Sequence, residues 1–194
     1  MDQARSKRLF SVKALVMALS LAASPLLTTV AHAEPAYAAN YDRLLPLQGG
    51  SNFRDMGGYF SSDGKQVKRG LLFRSGVMTS LTPADEEYLA QFGFQTVIDL
   101  RSSDERELYP NNWASNADIE LLSHDYTMRD MVKDMVNEQG QPRGMDALYR
   151  GMTRSLQPQI TMLFEEALAG HVPLVVNCSA GQDRTGISSA LLLL

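Results

Sequence analysis

The chain has 194 residues, 44% of them hydrophobic, with 18 Lys+Arg against 22 Asp+Glu and a formal net charge of −4. That length suits one domain with a core of its own, and the acidic balance excludes nucleic acid as a partner. The single cysteine, Cys178, excludes an internal disulfide, and one Cys with three histidines argues against a structural zinc site.

Residues 1–33 read as an export signal. Arg5, Lys7, Arg8 and Lys13 form a basic head, Ala14 to Val30 an apolar stretch, and Ala31-His32-Ala33 a small-x-small cleavage site before Glu34. Ser20, Ser24, Pro25, Thr28 and Thr29 interrupt the apolar run, which lacks the sustained length of a spanning helix. The expectation is export to the periplasm or the outside, with no stable membrane insertion after cleavage. Losing the leader takes four basic residues and one acidic residue, leaving 14 against 21 and a net charge of −7. Residues 34–43, which contain Ala and Pro, read as a disordered lead-in to a domain over 44–194.

Asn52 to Tyr59 joins polar side chains to Gly57-Gly58 and reads as a strand end and turn, in which Arg54 and Asp55 either pair structurally or serve the substrate. Gly64 marks a hairpin tip and Val67 to Ser75 the returning strand. Thr82-Pro83-Ala84-Asp85-Glu86 starts a helix with a hydroxyl cap, Pro in the first turn and acids at the positive dipole end; Gly93 stops it. Phe94 to Leu100 is the next buried strand, and Asp99, Arg101, Glu105 and Arg106 lie where it ends, the side on which open α/β sheets bind ligands. A structural ion pair with a nearby Arg is the expectation for Asp99, and orienting the loop after the last strand is the alternative. Ile119 to Leu122 is a further short strand, opening into Ser123-His124-Asp125-Tyr126.

Met128, Met131, Val132, Met135 and Val136 recur at helical spacing until Asn137 to Gly144 breaks the pattern. Such a face is ordinarily core; a mobile flap over a site is the alternative. Met145, Leu148, Met152 and Leu156 define another helix, and Ile160, Leu163, Phe164, Ala167 and Leu168 the next, ended by Gly170. Alternating strands and helices predict an α/β fold with three layers, a small, mostly parallel central sheet flanked by helices. The chain stops in four leucines, Leu191 to Leu194, which predicts that a C-terminal part of the domain is missing.

The most informative stretch is Asn177-Cys178-Ser179-Ala180-Gly181-Gln182-Asp183-Arg184-Thr185-Gly186, between an apolar run, Val172 to Val176, and the helical Ile187 to Leu194. A strand of β-branched residues delivers Cys178 to a loop mouth. Gly181 and Gly186 allow the tight turn in which successive backbone N–H groups converge at a helix N-terminus. Those donors and the helix dipole favour a dianion, and a thiolate at their centre. Arg184 adds a planar fork that matches two phosphoryl oxygens, and Thr185 a hydroxyl in range of the thiolate. The phosphate-binding set is thus Ser179, Ala180, Gly181, Gln182, Asp183, Arg184 and Thr185, with Cys178 as nucleophile. Neither a metal nor a cofactor is called for. A buried, inert Cys in an ordinary Gly-rich turn is the bland alternative.

With Asn52-Phe53-Arg54-Asp55-Met56-Gly57-Gly58-Tyr59, Leu72-Phe73-Arg74-Ser75 and Val97-Ile98-Asp99-Leu100-Arg101-Ser102 in the same order upstream, this stretch resembles the secreted bacterial protein-tyrosine phosphatase family typified by mycobacterial tyrosine phosphatase B. The similarity runs from about Leu44 to the last residue. It implies a cysteine-dependent phosphatase that hydrolyses phosphotyrosine, with phosphoserine or phosphothreonine as further substrates, through a cysteinyl-phosphate. Its partner would be a phosphorylated protein or a small phosphomonoester. The family places the 52–59 segment near the active site and continues with further helices after the position where this chain stops.

The leaving oxygen needs a proton, and Asp125 is the first candidate donor, from its loop and from an Asp near that place in the family; Asp183 is the second, as acid, water-orienting base or loop acceptor. Asn177 stands where many cysteine phosphatases have His, and Gln182 where the family often has Lys. Without that Lys, inositol phospholipids are less favoured than phosphotyrosine. A phosphoinositide phosphatase, a weakly catalytic phosphate-binding module and a rhodanese-type sulfurtransferase are the other readings.

Overall fold

The computed structural model describes residues 42–133, 135–141 and 144–194. The export signal expected at 1–33 and the lead-in at 34–41 lie outside the described residues. Arg43 already belongs to the fold: its carbonyl accepts from Asp55 N–H at 2.9 Å, and its Nε donates to the Asp55 carbonyl at 3.1 Å. The lead-in read over 34–43 therefore gives way to ordered chain before Leu44.

Five strands form one sheet: β1 (Arg54–Asp55), β2 (Leu72–Ser75), β3 (Thr96–Asp99), β4 (Glu120–Ser123) and β5 (Leu174–Asn177). Their spatial order is β1-β2-β5-β3-β4, with β1 antiparallel to β2 and every other neighbouring pair parallel. The most apolar strand, β5, is central. Seven helices are seen among the described residues: α1 (Pro83–Ala90), α2 (Ser103–Leu108), α3 (Asn112–Asn116), α4 (Met128–Lys133), α5 (Gly144–Ser155), α6 (Gln157–Ala169) and α7 (Asp183–Leu192).

The two-residue period of the strands divides the core. Val175, Val97 and Phe73 point to one face, where they meet Leu89 and Phe92 of the α1 region, Trp113 and Ala114 of α3, and Phe53 and Phe94. Leu174, Val176 and Ile98 point to the other, against Leu163 of α6, Met56 and Leu100; Cys178, in phase with Val176, belongs to this second face. Helices on both faces make three layers, as the sequence predicts. Edge-to-face rings tie the first face together, among them Phe73 with Phe94 at 4.9 Å and Phe94 with Trp113 at 5.5 Å between centroids. The methionines pack as core: Met131 and Met135 join Met152 and Leu156 in a third cluster that reaches Ile187 of α7. The flap alternative finds no support there.

Local chemistry sets most of the boundaries. Thr82 and Asp85 form a reciprocal capping box at α1, and Ser102 and Glu105 a second at α2. Gly170, at φ +83°, ends α6. The returning strand is shorter than predicted: the chain pairs at Phe60 and Gln66 around the Gly64 tip, then bends, and only 72–75 is strand. The cause is Gly70, at φ +76°, whose N–H goes to the buried Asp55 carboxylate at 3.0 Å and not to a ladder. Helices α2 and α3 were not anticipated, being too short to show a period.

Candidate active site

The C-terminal ends of β5 and β3 and the N-terminus of α7 converge on Cys178. β5 ends at Asn177, whose carbonyl accepts from Leu100 N–H at 2.8 Å, and Cys178 follows, buried, with 2% of its surface exposed. The chain reverses through Ser179 to Gln182 and enters α7 at Asp183 with no side-chain cap, so the first N–H groups of the helix are left to the loop. Gly181 makes this possible. It lies at φ +66°, and a Cβ there would stand 2.5 Å from Gly76 N and 2.6 Å from the Ser75 carbonyl.

The outward carbonyls of the loop are tied to neighbouring segments. Val77 N–H donates to the Ser179 carbonyl at 2.9 Å, Asn52 Nδ2 to Ala180 at 2.7 Å and Arg74 Nη2 to Gly181 at 2.7 Å. With its carbonyls turned away and held, a loop of this kind presents N–H groups to its interior.

Arg184, in the first turn of α7, is buried and its guanidinium is clamped. Nη1 and Nη2 donate to the two Glu105 oxygens at 2.6 and 2.8 Å, Nη1 also to Tyr126 Oη at 3.0 Å, and Tyr126 Oη in turn to the Leu100 carbonyl at 2.6 Å. Ser179 Oγ donates to Glu105 at 2.5 Å. Burial by itself would lower the Arg184 guanidinium and raise the Glu105 carboxyl. Their mutual hydrogen bonds, joined by Tyr126 and Cys178 at the guanidinium and by Ser179 and Ser102 at the carboxylate, together outweigh it, holding Arg184 above its usual value and Glu105 at about 2. Among the described residues no hydrogen bond engages Arg184 Nε.

Glu105 is the residue the sequence reading placed at the strand end without a role. It has two at once: it closes the α2 capping box through Ser102 N–H at 2.9 Å and anchors the arginine of the loop. Beneath it, Asp99 and Arg101 form the expected ion pair at 2.6 Å, both buried, and Asn177 Nδ2 donates to Asp99 at 3.3 Å.

The two candidate acids take different places. Asp125 is exposed on the loop after β4, bonded to Arg106 Nη2 at 2.5 Å and Ser103 Oγ at 3.1 Å, one residue before Tyr126, which touches Arg184. Asp183 is the first residue of α7 and accepts from Tyr149 Oη of α5 at 2.6 Å, a bond that raises the Tyr149 phenol. Ser179, Ala180, Gly181 and Gln182 form the segment between β5 and α7. Thr185 is fully buried and its Oγ1 has no hydrogen-bond partner, so the bond anticipated to Cys178 is not formed.

A model of the tyrosine phosphatase family matches residues 45–194. A candidate tyrosine-protein phosphatase of Cupriavidus necator is 30% identical over 153 residues, 74% of this chain and 54% of its own. A tyrosine-protein phosphatase of Nostoc commune is 33% identical over 124 residues, 62% of this chain and 41% of its own. The chain thus spans about half the length of the curated relatives it matches. A crystal structure of a candidate phosphatase from Neisseria meningitidis aligns with a TM-score of 0.35 at 20% identity, covering 60% of this chain and 68% of that one.

Proposed function

From the premise that the chain belongs to the tyrosine phosphatase family, we propose that it hydrolyses phosphotyrosine monoesters through a cysteinyl-phosphate on Cys178. The observation that carries the reading is the pairing of a buried Cys178 at the end of β5 with Arg184 on the first turn of α7, clamped by Glu105.

The thiolate attacks phosphorus in line, an S–P bond forms, and the P–O bond to the tyrosyl oxygen breaks with its electron pair leaving on oxygen. Loop N–H groups and Arg184 Nε hold the equatorial oxygens and offset their charge in the transition state. Asp125 delivers the proton that the departing oxygen needs, after release from Arg106. Asp183 orients the loop and the attacking water. Water then attacks phosphorus and gives its proton to the Asp125 carboxylate, the S–P bond breaks with its electron pair on sulfur, and the thiolate returns with inorganic phosphate as product.

Phosphate release from phosphotyrosine, phosphoserine and phosphoinositide substrates, measured beside Cys178→Ser, tests the reading. Release from phosphotyrosine that is absent in the variant is the expected result. A folded wild-type protein that releases phosphate from none of them refutes it.

We propose also that residues 1–33 direct export, on the strength of their basic head, apolar stretch and Ala31-His32-Ala33 site. Recovery of full-length, uncleaved protein in the cytoplasmic fraction alone would overturn that.

A further inference from the structure

Beside the loop lies a cluster of positive charge that the proposed chemistry does not use. Arg54 and Arg74 are direct cross-strand partners in the β1–β2 ladder, so their side chains share one face of the sheet. Like charges set opposite one another in a sheet are destabilising. Among the described residues neither forms an ion pair with a carboxylate. Arg54 Nη1 donates to Asn52 Oδ1 at 2.9 Å, and Arg74 Nη2 to the carbonyls of Gly181 at 2.7 Å and Gln182 at 3.5 Å. Arg74 Nε is buried without a partner.

Arg43 is the third member, stacked at 4.0 Å over the Tyr59 ring and bonded to its hydroxyl at 2.7 Å. Among the described residues none of these three arginines takes part in an ion pair. In a chain with a net charge of −4 that is a local exception. The cluster adjoins the active site: Arg74 holds the Gly181 carbonyl, Asn52 links Arg54 to the Ala180 carbonyl, and Cys178 lies within electrostatic range of Arg74. Burial and the charge of Arg54 both push the Arg74 guanidinium down, a pressure that an incoming anion would relieve.

Resting on the phosphotyrosine reading above, we infer that Arg54 and Arg74 form a second anion site beside the phosphate loop, which binds the carboxylate of an acidic residue flanking phosphotyrosine in a peptide substrate. The guanidinium fork matches a carboxylate. The exposed Tyr59 and Phe60 next to Arg43 supply apolar surface for the peptide chain. Gln182, within the loop, adds no cation that would favour a second phosphate at the loop itself.

The test is binding of fluorescent phosphotyrosine peptides to the Cys178→Ser chain by anisotropy. One peptide has Asp and Glu beside the phosphotyrosine, the other Asn and Gln, and vesicles containing phosphoinositide serve as a third arm. The acidic peptide is expected to bind about fivefold more tightly, the size of a well-formed exposed ion pair, and the preference should shrink with added salt. Arg54→Gln, at a half-exposed position, should bring the ratio close to one with a melting temperature that does not fall. Arg54→Glu should reverse it toward a Lys-flanked peptide.

Equal affinity for the two peptides, absence of binding to either, or an Arg54-dependent preference for the vesicles alone overturns the inference. Turnover by the wild type is scored separately. Turnover without the preference leaves the phosphatase reading standing and removes the subsite; the preference without turnover does the reverse.

Discussion

Replacing Glu105 with Gln tests whether the carboxylate behind the loop is a structural anchor of Arg184. The side chain keeps its shape, but one of the oxygens that accept from Arg184 becomes a donor, and a buried guanidinium is left facing an amide. The carboxyl is held at about 2 in the fold against 4.5 for the free group, which corresponds to about 3 kcal/mol of stability at neutral pH. For a domain of this size that is a fall of roughly 6–12 °C in melting temperature.

The sign of the pH dependence is fixed by the direction of the shift. A depressed carboxyl contributes in full above its unfolded value and loses its contribution as pH falls toward the folded one, so the gap between wild type and Glu105→Gln should narrow steadily below the unfolded value and be mostly gone at the folded value of about 2. Urea unfolding of both proteins from pH 7 down to pH 2 measures it. Variants of equal stability at pH 7, or a gap that stays constant with pH, would refute the argument. Turnover reads the same residue independently: with Arg184 loosened, kcat should drop more than the affinity for phosphate.

Asp99→Ala strands the buried Arg101 charge and should cost about 3–5 kcal/mol in chemical denaturation, a loss that a surface pair such as Lys65–Asp63 would not show. Gly181→Ala meets both a left-handed φ and a Cβ 2.5 Å from Gly76 N, whereas Gly64→Ala, at φ +79°, meets the strain with no atom within 4 Å. The first should cost ~2 kcal/mol or more with a marked loss of turnover, and the second about 1 with turnover intact. Asp125→Asn should slow phenyl phosphate by about 10²–10⁴ and p-nitrophenyl phosphate far less, because only the poorer leaving group needs the proton. Asp183→Asn should slow both alike; the opposite pattern would exchange the two roles.

Cys178, Arg184 and the helix behind them are legible because their relations are local: Cys178, Gly181 and Arg184 lie within one strand-loop-helix unit whose spacing dictates the geometry. Likewise the apolar runs of β3 and β5 declare buried parallel strands, and Asp99 beside Arg101 declares an ion pair. What could not be read is whatever depends on strand order. Glu105 is 79 residues from Arg184, and Asn52 and Arg74 are 128 and 107 residues from the carbonyls they hold; they meet because β5 inserts between β2 and β3.

One local signal did point toward Glu105. A capping box, Ser102 to Glu105, sets a Glu carboxylate at the start of a helix that leaves the C-terminal end of β3. In a parallel sheet that end adjoins the loop leaving β5, so a capping Glu there has a cation within reach whenever that loop carries one. The cap and the clamp are then one constraint. The carboxylate is fixed by Ser102 before it meets Arg184, and the arginine loses less freedom on being ordered than it would against a mobile partner. It follows that Ser102→Ala, which touches no atom of Arg184, should weaken turnover as well as α2, and that Ser102→Thr, which retains the cap, should restore both.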